Sequence, residues 1–264
     1  MRVRATVTGL VVLLLLGAVP ALAADAPRFS LSSSFNYSTG DYGTSEDTEI
    51  IYVPFTFGVK LDRFELRLTV PYIRQTSQTV TLTGGGVAVR KDKKARAAQE
   101  TDTESGLGDI LLRGSYILLQ EQDVWPEVTP YVKIKFPTAD EDRGLGTGEF
   151  DETFGVELSK TFLERFTAFL GVAYTIIGSP AGSDFDNSFG WSVGAAYTVV
   201  RPFSVFAFLE GATAISSTQE DPLELRVGAE WRLTDVVKLT GSVTRGLSDG
   251  SADWGVSAGL ALRF

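Results

Sequence analysis

The sequence predicts an all-β protein: an antiparallel, up-and-down transmembrane β-barrel of about 12 strands, preceded by a signal peptide that export removes. Three observations lead there. From Arg28 to the last residue the chain alternates with a period of two, the signature of strands with different solvents on their two faces. One face is apolar and aromatic while the other carries hydroxyls, amides and charges. Long and short connections between the segments also alternate without exception.

The N-terminus reads as an export signal. Arg2 and Arg4 precede an apolar run from Leu10 to Val19, then Pro20 and the small-residue triplet Ala21-Leu22-Ala23. The run is shorter than the ~20 residues a spanning helix needs, and it is the one helix-like apolar block in the sequence. Residues 1–23 are therefore assigned to the signal and 24–264 to the barrel. The mature chain enters its first strand at once, so no N-terminal hatch is expected.

The first segment sets Phe29, Leu31, Ser33, Phe35 and Tyr37 against Ser30, Ser32, Ser34 and Asn36. The second carries Ile51, Val53, Phe55, Phe57 and Val59, turns at Asp62-Arg63, and returns as the third through Phe64, Leu66, Leu68, Val70 and Tyr72, with Glu65 and Arg67 opposite. The fourth alternates Ile110, Leu112, Tyr116 and Leu118 with Asp109, Arg113 and Ser115. The fifth alternates Val132, Ile134 and Phe136 with Tyr131, Lys133 and Lys135. Segments follow at 154–158, 166–174, 189–197, 203–214, 223–233, 237–243 and 254–264. The facing of the ninth stays ambiguous, because Phe206 and Phe208 share a face with Glu210.

Long connections fall at 38–48, 74–105, 137–149, 178–187, 216–221 and 247–252, and short ones at 62–63, 120–127, 163–165, 201–202 and 234–235. Short periplasmic turns and long external loops are the habit of outer-membrane barrels. A soluble β-sandwich also alternates, but its inner face is dry and does not tolerate this many charges. Aromatics gather at both strand ends, Phe29, Phe64, Phe166, Phe203, Trp231 and Phe264 near the short turns, and Tyr37, Tyr72, Phe136, Tyr174 and Trp254 near the long loops. Two interfacial girdles would be spaced so.

Composition removes several chemistries. With no histidine and no cysteine, a Ser-His-Asp site, a thiol nucleophile, a disulfide and the usual zinc site are all absent. No cofactor and no metal site is expected, and the chain does not read as an enzyme. The net charge of −9 makes nucleic acid a poor partner. The carboxylates Glu224 and Glu230 alternate with Arg226 and Arg232 and are expected to neutralise one another along the strand. Gly144–Gly148 lacks the Lys-Ser/Thr ending of a phosphate loop and precedes a strand, so its glycines are read as turn formers with positive φ. Asp140-Glu141-Asp142, though able to attract a hard cation, reads as a solvated loop. The basic run Arg90–Arg96 also reads as solvated, with an inward fold or lipid-phosphate contact as alternatives.

Ser105-Gly106-Leu107-Gly108-Asp109 leading into Tyr116, Lys135-Phe136-Pro137-Thr138, Gly144-Leu145-Gly146-Thr147-Gly148 followed by Asp151, and Gly171-Val172-Ala173-Tyr174-Thr175 occur in this order. In these segments the chain resembles the MetA-pathway phenol-degradation family of outer-membrane transporters, with Ala139 where that pattern usually has glycine. Gly106, Gly108, Asp109, Pro137, Gly146, Gly148 and Asp151 carry the likeness, which implies a barrel in the bacterial outer membrane. The terminal Gly259-Leu260-Ala261-Leu262-Arg263-Phe264 resembles the signal read by the barrel assembly machinery, implying that machinery as a transient partner and Phe264 as its key residue.

The inward set is Glu65, Arg67, Asp109, Arg113, Lys133, Lys135, Glu157, Glu210, Glu224, Arg226, Glu230, Arg232, Lys238 and Arg263. In a water-filled bore these charges would filter small solutes; in a narrow one they would form a salt-bridged plug. The expectation is a passive channel in contact with outer-membrane lipid and lipopolysaccharide, and the resemblance suggests aromatic or other hydrophobic catabolic substrates. The alternative is a closed structural or surface-interaction barrel.

Overall fold

The structure is a computed structural model and describes residues 26–42, 47–76, 80–82, 88–90, 103–180, 182–217 and 219–264. The signal-peptide assignment and most of the Arg90–Arg96 run lie outside the described residues. The strands are β1 (Arg28–Gly40), β2 (Thr48–Leu61), β3 (Phe64–Gln75), β4 (Val80–Leu82), β5 (Ala88–Arg90), β6 (Glu104–Leu107), β7 (Ile110–Tyr116) and β8 (Glu127–Phe136), followed by β9 (Asp151–Phe162), β10 (Phe166–Ile176), β11 (Ser188–Val200), β12 (Phe203–Ala212), β13 (Leu223–Arg232), β14 (Val237–Gly246) and β15 (Trp254–Arg263).

β4 and β5 form a separate two-stranded ribbon within the longest loop. β6 and β7 both pair with β3 and are two halves of one wall strand, broken at Gly108-Asp109. Each remaining strand pairs antiparallel with its sequence neighbours, and β1 pairs with β15, closing a wall of the predicted 12 strands. At the seam Phe29 and Phe264 exchange backbone hydrogen bonds, 3.1 and 2.8 Å. Closure leaves no unpaired edge, as a strand wall in hydrocarbon requires.

The outer face is the apolar one. Leu31, Phe55, Leu68, Leu170, Val193, Val227 and Leu260 are exposed there, an arrangement that water disfavours and lipid accommodates. The girdle residues Phe29, Phe64, Phe166, Trp231 and Phe264 stand outward at the short-turn end, and Tyr72, Tyr174 and Trp254 at the long-loop end. Tyr37 packs against Trp254, ring centroids 5.6 Å apart. Among the described residues no helix is long and apolar enough to cross a membrane; strands make the crossing.

The short turns form as their sequences suggest. Asp62 (φ 49°) and the Leu163-Glu164 pair (φ 51° and 59°) take the left-handed conformation that tight hairpins need. The longer connection before β8 is held by Glu121, which accepts a 2.8 Å hydrogen bond from Thr161 N and lies 3.2 Å from Lys160 Nζ. The Thr161 bond, aided by Lys160, keeps the Glu121 carboxyl below the usual range.

Among the described residues no central cluster of buried apolar side chains fills the barrel. Among the described residues the buried apolar side chains sit in three small clusters: Tyr42, Ile50 and Ala252; Ile73, Ala139 and Leu145; Ile177 and Ile215. All lie where external loops fold back onto the mouth of the barrel. Burial pushes the Tyr42 phenol up to about 12, so it stays neutral beneath its loop.

Candidate functional site: the lumen and its external latch

The period of two puts the inward set on the lumen face, at three levels. The upper level is new to the structure. Lys135, at the external end of β8, is 1 % exposed and lies 2.9 Å from Asp151 Oδ2, 3.4 Å from Asp109 Oδ2 and 2.7 Å from Thr147 Oγ1. Asp109 Oδ1 accepts hydrogen bonds from Thr138 N (3.0 Å) and Ala139 N (2.9 Å). Asp151 Oδ1 accepts one from Gly178 N (3.0 Å). Asp109 and Lys135 therefore border the cavity but are covered, and they tie down a loop.

That loop is 137–149. Its acidic stretch Asp140-Glu141-Asp142 is exposed, as expected, and Arg143 pairs with Glu104 at 2.7 Å. Residues 144–147 instead turn inward and are buried. Leu145, 2 % exposed, packs on Ile73 and Ala139, and Gln75 Nε2 donates to Gly144 O at 2.8 Å. Gly144 and Gly148 have φ of 76° and 73°, which bears out the positive-φ reading at these two positions. Gly146 is required for another reason: a Cβ there would stand 2.8 Å from Ala139 Cβ and 2.9 Å from Asp109 Oδ2. Ala139 fills the space beside it, so its departure from the pattern leaves the turn intact.

Three of the four segments that carry the family likeness, 105–109, 135–138 and 144–151, thus converge on one place, while Gly171 of the fourth lies in the mid-height row of the wall. Gly106 passes beneath Leu145, Gly108 N donates to Pro71 O (2.9 Å), Thr138 Oγ1 donates to Gly108 O (3.2 Å), and Pro137 ends β8 where its missing N–H has no ladder to join. Sequence reasoning saw these as separate structural motifs. The signal it could have used is a lumen-facing lysine at a strand end flanked by an aspartate at the end of each neighbouring wall strand.

At mid-height the register sorts the charges. Arg67 on β3, Arg113 on β7 and Lys133 on β8 lie side by side in one row. Glu157 on β9, Glu210 on β12 and Glu224 on β13 share another row, separated by Gly171 and Ser192. Like charges directly opposite one another are unfavourable, and diagonal pairs relieve them. Arg113 pairs in charge with Glu157 across β8, 2.7 Å away, and Arg226 donates a hydrogen bond to Glu210 at 2.9 Å. Lys133 and Glu224 have no ion-pair partner among the described residues.

The lower level holds Glu65–Arg67 at 2.9 Å and Glu230–Lys238 at 2.7 Å, with Arg232 opposite Lys238 in register. The expected neutralisation of Glu224 and Glu230 by Arg226 and Arg232 along β13 is corrected here. An i,i+2 pair can form on one strand, as Glu65–Arg67 does, but on β13 each group meets an opposite charge on an adjacent strand instead: Arg226 turns to Glu210 on β12 and Glu230 to Lys238 on β14.

The facing of β12 is settled as well. Phe206 and Phe208 point inward with Glu210, and Phe169 of β10 joins them, 5.4 Å from Phe208. Arg226 Cζ lies 5.6 Å from the Phe208 ring centre, while Arg113 Cζ lies 4.1 Å above Tyr131. Between the latch and these rings is a cavity of about 660 Å³, bordered by Tyr52, Tyr131, Lys133, Glu157, Glu210 and Arg226 among others. Among the described residues no group of three acidic side chains is placed to hold a metal ion.

A closed antiparallel wall, an apolar belt between aromatic girdles and a charged bore define an integral barrel of the outer membrane. The chain belongs to the family described as "Putative MetA-pathway of phenol degradation", whose pattern it matches over residues 79–264. Its fold is similar to that of the COG4313 outer membrane channel from Pseudomonas putida F1, at 16 % identity, with a TM-score of 0.67, covering 91 % of this chain and 96 % of that one. The KdgM porin (8 % identity, TM-score 0.52, 89 % and 99 % covered) and the NanC porin (10 %, 0.51, 88 % and 98 %) share the fold more distantly. No curated protein matches the sequence.

Proposed function

We propose that the protein is a passive channel for small molecules across the outer membrane. The observation that carries this reading is the cavity of about 660 Å³ inside a wall whose inner face carries charged groups at its upper, middle and lower levels. A dry core of this size could not hold so many charges. The family description supports aromatic or other hydrophobic catabolic compounds as cargo. Lumen charges of both signs give modest ion preference in place of tight binding. With neither histidine nor cysteine in the chain, the site supports passage and no catalysis. Liposomes containing the refolded protein should admit small solutes faster than protein-free liposomes; equal rates with folded protein would refute the reading.

A second reading, a closed barrel, is favoured by the inward fold of residues 144–147. Replacing Arg226 and Arg232 by alanine separates the two. In a channel the pair of changes mainly shifts ion selectivity toward cations. In a plug it lowers the melting temperature, because Glu210 loses the cation that pairs with it in a bore that water does not fill.

The outer girdles and the exposed Asp140-Glu141-Asp142 stretch support lipid and lipopolysaccharide as surroundings, and the Phe264 seam supports the assembly machinery as a transient partner. Deleting Phe264 removes the hydrogen bonds to Phe29 that end the ladder between β15 and β1. The yield of heat-modifiable barrel in cells should fall sharply; an unchanged yield would discount this residue as an assembly signal.

A further inference from the structure

We propose that Phe169, Phe206 and Phe208, together with Arg226, form a subsite for aromatic carboxylates in the lower part of the bore; this rests on the channel reading above. Three phenylalanines on a lumen face are unexpected where every neighbouring strand presents polar groups. They are partly exposed, and because they face inward that exposure is to the lumen. Phe206 and Phe208 are 5.9 Å apart at 62° and Phe169 and Phe208 5.4 Å at 39°, so the three rings make one contiguous, faceted aromatic patch.

The wall is recessed to receive them. A Cβ at Gly194 would stand 2.2 Å from Phe208 Cδ1, and one at Gly228 would stand 2.4 Å from Phe206 Cζ. Phe208 therefore leans over Gly194 and Phe206 over Gly228, each on an adjacent strand. With Phe206 and Phe208 set edge to face at 62°, the patch offers both ring faces and ring edges to the bore, and a second ring can join it by edge-to-face or offset contact.

Arg226 stands at the upper edge of this surface, directly opposite Phe208 in register. Its Nη2 is held by Glu210 at 2.9 Å, and its side chain remains 39 % exposed, at the floor of the cavity above. A solute arriving from that cavity meets a fixed guanidinium first and an aromatic surface next. The chemistry that satisfies both is a planar ring bearing a carboxylate: the anion pairs with Arg226 and the ring lies on the phenylalanines. A hydrocarbon lacks the anion and an aliphatic acid lacks the face.

The test is isothermal titration of benzoate, cyclohexanecarboxylate and toluene into the detergent-solubilised barrel, with bilayer current recorded in parallel. Benzoate should bind, and should bind more tightly than either competitor. Phe208→Ala and Arg226→Gln should each weaken benzoate by about fivefold to tenfold while leaving heat-modifiability intact. Equal binding of benzoate and cyclohexanecarboxylate, or benzoate binding untouched by both substitutions, would overturn the subsite. Ion conductance without benzoate binding would reject the subsite and leave the channel standing. Absence of conductance would reject the channel, and the calorimetry would still decide the subsite.

Discussion

Lys135→Met should destabilise the barrel by about 3–5 kcal/mol, the cost of leaving buried charge without its partner. Lys135 is 1 % exposed and stands between Asp109 and Asp151, which are 7 % and 1 % exposed, so neither carboxylate can turn to water when the ammonium goes. A thermal melt followed by tryptophan fluorescence would read the loss, with Lys60→Met as the control; Lys60 lies on the lumen face of β2, opposite Glu65 in register, and has no ion pair among the described residues. The same change frees the loop that Thr147 fastens to Lys135 and that carries Leu145 into the mouth. Conductance of the folded fraction should rise. An unchanged melt would mean that the latch contributes little and that the loop is held by Leu145 and Gln75 alone.

Gly194→Val should narrow the bore. The valine Cβ would stand 2.2 Å from Phe208 Cδ1, far inside contact distance, so the ring must leave the wall. Behind it is the strand backbone and beside it is Phe169, which leaves the lumen as its free direction. Overpacking of this kind costs about 1–3 kcal/mol, which a closed barrel survives, but the displaced ring should cut conductance severalfold. Adding Phe208→Ala to the same protein should restore it. A folded Gly194→Val barrel with parental conductance would show that the Phe208 ring does not border the conducting path.

Much of this was legible in the sequence because a membrane barrel writes its two solvents into alternate residues. Strand number, closure and the facing of β3, β7, β8 and β13 follow from that period, which sets Glu65, Arg113, Lys133 and Arg226 opposite the apolar residues of their strands. β12 escaped because both of its faces are apolar: Val205, Ala207 and Leu209 point outward while Phe206 and Phe208 point inward, and a period needs contrast to show. The latch escaped because it depends on register between strands. Nothing local to Lys135 says that Asp109 and Asp151 flank it, or that residues 144–147 will fold back over it. The ion pairs of β13 were misassigned for the same reason, since Arg226 finds Glu210 on another strand and not a neighbour on its own.

The central claim is that this barrel conducts, and single-channel recording of the refolded mature protein in a planar bilayer tests it most directly. With reversal potential measured under a salt gradient, the account predicts a stable conductance step with modest ion preference that Arg226→Ala shifts toward cations. Silence from protein that is demonstrably folded and heat-modifiable would contradict it, and would make the structure a closed barrel whose loops are fastened over its mouth.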